Sequence, residues 1–160
     1  MTDHDDHLKT FWRRLDVVNA GMLGLAEDAR PVPMSHYADP EAGRLWFVTA
    51  KGTDLARALE GGGQPALHLV ADQGKGLFAR LHRRLSLSDD RAKLDALWNA
   101  VAESWFEDGK QGEDVQLLCL DLSEAEVWVT DGGLSFLYQL ARSKVTGHKP
   151  DMGKHFNLTF

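Results

Sequence analysis

Residues 66–85 read ALHLVADQGKGLFARLHRRL, and this stretch decides the fold. Ala66-Leu67-His68-Leu69-Val70 is a short apolar run of strand length, and Asp72-Gln73-Gly74-Lys75-Gly76 has the composition of a hairpin connection. Beyond it the side chains alternate. Leu77, Ala79, Leu81 and Leu85 face one way, while Phe78, Arg80, His82 and Arg84 face the other, the period of a half-buried strand. Arg83 interrupts the apolar face, at the point where the strand is expected to leave the core. Strands joined by so short a turn pair antiparallel.

Working outward, the N-terminal side predicts a helix with Leu8, Phe11, Leu15 and Val18 on one face and Thr2 or Asp3 as its N-cap. Gly21 and Gly24 end that period, and residues 22–26 predict a short strand. Glu27 to Pro31 is a turn, and Val32 to Tyr37 returns as a second strand. Leu45-Trp46-Phe47-Val48-Thr49 is a third, rich in β-branched and aromatic residues. Thr53 or Asp54 caps a short helix carrying Leu55, Ala58 and Leu59, which Gly61-Gly62-Gly63 terminates.

On the C-terminal side, Ser88-Asp89-Asp90 opens a helix with Leu94, Leu97, Trp98, Val101 and Trp105 on its apolar face. Val115 to Leu122 and Ala125 to Thr130 read as two strands around a Ser123-Glu124 turn. A last helix is expected over 134–146, and Phe156 to Phe160 as a final extended segment. Strands in succession with helices inserted at intervals predict a mainly β fold with peripheral helices. A barrel or strongly curled antiparallel sheet follows, because closure removes exposed edges.

The chain has 160 residues, enough for one domain over 1–160 that buries about 70% of its unfolded surface. Hydrophobic residues make up 43% and charged residues 26%, the profile of a soluble globular protein. A net charge of −6 argues against nucleic-acid binding, which draws its affinity from neutralising phosphates. A single cysteine, Cys119, excludes an internal disulfide and a cysteine-based zinc site. No run is long enough to span a membrane, and the acidic start MTDHDDHLKT is unlike a secretory signal. These features point to a cytoplasmic protein with no membrane partner.

Little in the chain announces catalysis. His4 and His7 beside Asp5 and Asp6 read as an acidic terminus rather than a metal site. His36, His68 and His82 read as satisfied barrel histidines. Cys119, inside Leu117-Leu118-Cys119-Leu120, reads as an inert buried thiol. Nucleotide-binding glycine loops and nucleophile elbows are absent. The Arg80/His82/Arg84 face reads as an exposed strand face paired with carboxylates. Thr49-Ala50-Lys51-Gly52-Thr53-Asp54, between a strand and a helix N-terminus, offers hydroxyls, N–H groups and Lys51 to a phosphate; the alternative is a capped helix with Lys51 in solvent.

Val32-Pro33-Met34-Ser35, Leu45-Trp46-Phe47-Val48-Thr49, Leu97-Trp98, Trp105-Phe106 with Gly109, Ala125-Glu126-Val127-Trp128, and residues 147–153 (Gly-His-Lys-Pro-Asp-Met-Gly) occur in this order. Together they resemble the FMN-binding split-barrel superfamily, which includes pyridoxamine 5′-phosphate oxidase, and more closely its general stress protein branch. The resemblance runs from about Leu8 to Phe160.

It implies a six-stranded antiparallel split β-barrel of Greek-key type that forms a homodimer with flavin at the subunit interface. Carried over by position, Pro33, Met34 and Ser35 flank the isoalloxazine ring. Val48 and Thr49 lie along the ribityl chain and phosphate, with Lys51 beside them. Thr53 matches a phosphate-loop serine, and Trp105 stands at the interface near the ring. Relatives carry arginine where this chain has Val32 and a basic residue where it has Leu55. Lys51, Arg30 or Arg57 are the substitutes at hand.

The C-terminus lacks the arginine-rich signature of the oxidase, so vitamin B6 oxidation is not expected. The resemblance implies an FMN-binding stress-type flavoprotein with weak oxidoreductase activity and no side chain assignable as acid or base. The alternatives are a non-enzymatic dimeric binding module that has lost tight FMN binding and takes another planar anion, and an obligate dimer with an empty cleft.

Overall fold

The computed structural model describes residues 2–28, 30–98, 114–130, 141–145, 147 and 153–160. The chain enters through α1 (Asp3–Val17), whose N-cap Thr2 forms a reciprocal capping box with Asp5. Phe11 and Leu15 on its inner face are fully buried. Eight strands follow among the described residues: β1 (Ala20–Leu25), β2 (Val32–Ser35), β3 (Tyr37–Asp39), β4 (Arg44–Ala50), β5 (Gln64–Asp72), β6 (Leu77–Ser88), β7 (Val115–Val129) and β8 (Lys154–Thr159). Two short helices interrupt them, α2 (Asp54–Ala58) and α3 (Arg91–Leu97). Residues 141–145, inside the helix expected over 134–146, are helical.

All strand pairs are antiparallel, in the order β2-β1-β5-β6-β7-β4-β3, and β8 lies end to end with β4 along β7. The quoted hairpin is β5–β6, paired from Gln64↔Leu85 to Asp72↔Leu77. β2 and β3 sit at opposite ends of this order, yet a single residue, His36, separates them in the chain. One residue reaches only about 7 Å. The sheet must therefore curl until its two ends meet, which makes it a split barrel. The expected six strands become eight because the segment from Val32 to Tyr37 breaks at His36, and because β8 and the short β3 both join the sheet.

Two more expectations change. Val115 to Val129 is one strand of 15 residues, not two strands around a turn. Opposite His82 and Arg83, the pairing skips Ser123, so β7 carries a bulge there. The inward positions switch from Leu118, Leu120 and Leu122 to Ala125, Val127 and Val129 across that extra residue. A change of parity in the sequence looks the same whether a turn or a bulge causes it. Arg83 marks this irregularity within β6, which continues to Ser88 rather than leaving the core. The helix from Asp90 also stops early. Trp98 is already extended, and Val101 and Trp105 lie outside the described residues.

The barrel core contains Phe11, Leu15, Leu23, Leu45, Phe47, Leu77, Leu81, Leu85, Leu118, Leu120, Val127 and Leu158. A second cluster on the outer face joins Trp46, Leu117 and Cys119 to Leu94 of α3. β7 is thus buried on both faces over Leu117–Leu120, which explains its continuous apolar run. Burial pushes the Cys119 thiol up to about 11, as expected of an inert structural cysteine. On the solvent face Arg80 pairs with Glu126 and lies over the Trp128 ring, in keeping with a paired polar strand face.

Candidate functional site

β2 is an edge strand. Among the described residues it pairs only with β1, so one row of its backbone N–H and C=O groups has no ladder partner. Pro33 and Ser35 are exposed, and Met34 is half-buried against the barrel core. β4 approaches β2 across the split. Val48 and Thr49 are half-buried near the end of β4; Val48 packs into the outer cluster, and Thr49 pairs with Gln116.

The chain then turns through Lys51 and Gly52. The Lys51 N–H donates to the Asp114 carbonyl at 2.6 Å, while its side chain is exposed. Gly52 holds a φ of +81°, a conformation that a side chain disfavours. Thr53 caps α2: its hydroxyl accepts from the Ala56 N–H at 3.2 Å and donates to the Ala50 carbonyl at 3.2 Å. The Thr53 hydroxyl is thereby committed to folding the turn, so this segment is first of all a capped helix. Trp105 lies outside the described residues.

Val32, at the start of β2, and α2 meet in a groove of about 260 Å³ between the β1–β2 hairpin and α2. Its apolar walls include Leu23, Leu25, Val32 and Leu55, and its ionised groups are Asp28, Arg30 and Asp54. None of the seven described residues singled out in the sequence is among those lining this groove. Their immediate neighbours Val32, Asp54 and Leu55 form the wall. Val32 and Leu55, 23 positions apart in the chain, thus line the same groove.

The groove's own cation is Arg30. Its Nε and Nη2 donate to the two Asp28 carboxylate oxygens, each at 3.1 Å. This bidentate bond holds the Asp28 carboxyl below its usual range, and Asp28 followed by Asp54 raises the Arg30 pKa. Two carboxylates against one guanidinium leave one net negative charge. The groove can accept an apolar ring edge, but it makes a weak clamp for a dianionic phosphate. Lys51 adds an exposed cation near the end of β4; Arg57 is not among the groove residues.

The sequence reading missed Asp54 beside Arg30, because the two are 24 positions apart and no local pattern links them. It also missed a histidine pair. His36 and His68, both read as separate satisfied groups, meet inside the barrel at 3.0 Å (Nδ1 to Nε2). The Nδ1 of His68 has no hydrogen-bond partner among the described residues. His82, by contrast, is exposed.

Residues 6–151 match the family model described as pyridoxamine 5′-phosphate oxidase like. Curated proteins give no match. Among solved structures, the chain is similar to a candidate general stress protein 26 from Jannaschia sp. CCS1, with 43% identity, a TM-score of 0.90, and 98% of this chain and 99% of that one covered. It is also similar to the general stress FMN/FAD binding protein of Xanthomonas citri, with 32% identity, a TM-score of 0.72, and 81% and 93% covered. A candidate general stress family protein from Xanthomonas campestris pv. campestris gives 31%, 0.72, 84% and 94%. No helix among the described residues is long and apolar enough to cross a membrane.

Proposed function

Since this chain belongs to the pyridoxamine 5′-phosphate oxidase like family, in its general stress protein branch, we propose that it is a homodimeric flavin protein that binds FMN at the subunit interface and acts as a weak oxidoreductase. The observation that carries this reading is the meeting of β2, at Val32, with α2, at Asp54 and Leu55, around one groove. The printed name of the X. citri relative, an FMN/FAD binding protein, supports the flavin.

The free backbone groups of β2, the Pro33 carbonyl and the N–H and carbonyl of Ser35, suit the hydrogen-bonding edge of a flat heterocycle. Thr49 and Lys51 stand where a ribityl chain and a phosphate would run, with Lys51 supplying the charge. A bound flavin supplies the redox chemistry, and the chain supplies position and electrostatics. A second copy over β2 would cover the exposed side of the edge, where Met22 and Val32 are 38% and 41% accessible.

The net negative charge of the groove favours one alternative, a dimeric binding module without tight FMN binding. Titration with FMN, followed by quenching of flavin fluorescence and by the absorption spectrum of the purified protein, separates the two. Saturable FMN binding with a dimer in sedimentation supports the flavoprotein. No binding at high micromolar FMN overturns it.

A further inference from the structure

His36 and His68 lie where the barrel closes, and the flavin reading makes no use of them. His36 is the single residue between the two end strands of the sheet, and its N–H donates to the Asn19 carbonyl at 3.0 Å. Its side chain points inward and is 6% accessible, and His68 on β5 is fully buried. The hydrogen bonds have one consistent direction. A carbonyl only accepts, so the contact of His36 Nε2 with the Leu15 carbonyl at 3.2 Å places a proton on Nε2. The neutral ring then has a bare Nδ1, which accepts from the Nε2–H of His68 at 3.0 Å. That leaves the His68 Nδ1 bare as well, and it is the atom without a partner.

The surroundings offer no negative charge to hold an added proton, only backbone carbonyls beside His36. α1 presents the backbone carbonyls of Leu15 and Val18, β1 presents the backbone of Gly21, and β4 presents the edge-on ring of Phe47 at 5.0 Å. Among the described residues, the only titratable group acting on the His68 ring is His36, and no charged side chain acts on His36. A proton on His68 Nδ1 creates a buried cation whose N–H has no acceptor. A proton on His36 Nδ1 sets two N–H groups against each other, unless His68 moves its own proton to the same partnerless Nδ1. Either outcome breaks the bond or strands a charge in the barrel.

We propose that the His36–His68 bond is an acid-released latch on the barrel: it pins the junction of β2 and β3 to β5 while both rings are neutral, and it frees the β2 edge when the pair takes up a proton. Burial lowers both histidine pKa values, His68 to about 3, so the closed latch resists protonation and the open one accepts it. Pro33, Met34 and Ser35 directly precede His36, so release would also move the wall of the groove. That consequence rests on the flavin reading; the latch does not.

Hydrogen exchange of the intact chain between pH 7.5 and 5, corrected for the intrinsic pH dependence of amide exchange, tests it. Protection at Met34 and His36, whose N–H groups face β1, should fall about tenfold per pH unit below ~6.5 for one proton taken up, while Leu120 and Val127 in the β6–β7 ladder keep theirs. Equal loss in both regions, or none at β2, overturns the latch. Nitrogen-15 spectra of the histidine rings give an independent readout on the unmutated chain. Both rings should be Nε2–H tautomers at pH 7.5, and either ring titrating near 6.5 with β2 still protected overturns the proposal. In His68→Gln, whose side-chain amide can still donate to His36, the pH dependence at β2 should weaken to that of His36 alone; should that variant fail to fold, the ring spectra and native exchange decide.

Discussion

Restoring cations to the groove should separate phosphate recognition from ring recognition. Val32 is 41% accessible and Leu55 half-buried, and they share the groove with Asp28, Arg30 and Asp54. Val32→Arg takes the local charge from −1 to 0, and adding Leu55→Lys takes it to +1. A hydrogen bond to a charged partner contributes about 1.5–3 kcal/mol. The lower end applies here, because the site is open to solvent and Asp54 competes for the new cation; Asp28 is already held by Arg30. About 1.4 kcal/mol is a factor of ten in affinity, so each substitution should tighten FMN binding roughly tenfold. Riboflavin, which has the ring but no phosphate, is the control. Fluorescence titration of both ligands against the native chain and the two variants should show FMN gaining and riboflavin unchanged, with the gain shrinking in high salt. Equal gains for both ligands, or no gain for FMN, would refute the placement of a phosphate at this end of the groove.

Stability should also depend on pH through His68. Its folded pKa of about 3 lies below the ordinary 6.5, so the unfolded chain binds more protons between those values; this contribution is complete above pH 6.5 and is lost as the pH falls toward 3. The unfolding free energy from urea titrations should drop by up to about 1.4 kcal/mol per pH unit from 6.5 downward, and a flat profile from pH 7.5 to 5 would contradict a buried neutral His68. Gly21→Ala places a methyl 2.4 Å from the Leu69 carbonyl oxygen and 2.8 Å from the His68 ring. Overpacking of this kind costs about 1–3 kcal/mol, so a lower urea midpoint is expected, and unchanged stability would show that β1 and His68 do not approach so closely.

What was legible beforehand had local causes. Thr2 and Asp5, with the Phe11 and Leu15 face, specify α1 within one stretch of chain. Leu77, Ala79 and Leu81 specify β6 by their period, and Thr53 specifies the α2 cap. The break at His36 was not legible, because a single inward histidine between two short strands carries no periodicity. The bulge at Ser123 was misread as a turn, because only pairing with β6 distinguishes the two.

The family resemblance implies Pro33–Ser35 and Thr49–Thr53 around one ligand; the groove itself is lined by their sequence neighbours Val32, Asp54 and Leu55. Residue types and spacing by themselves determined a mainly β chain with capped helices and antiparallel hairpins, since hydrogen bonding and side-chain alternation act between near neighbours. Only the tertiary structure decided that Asp54 joins Arg30 in the groove, that Val32 shares a wall with Leu55, and that His36 finds His68. Those contacts join residues 23 to 32 positions apart, and closure of the sheet, rather than any local preference, sets their distances.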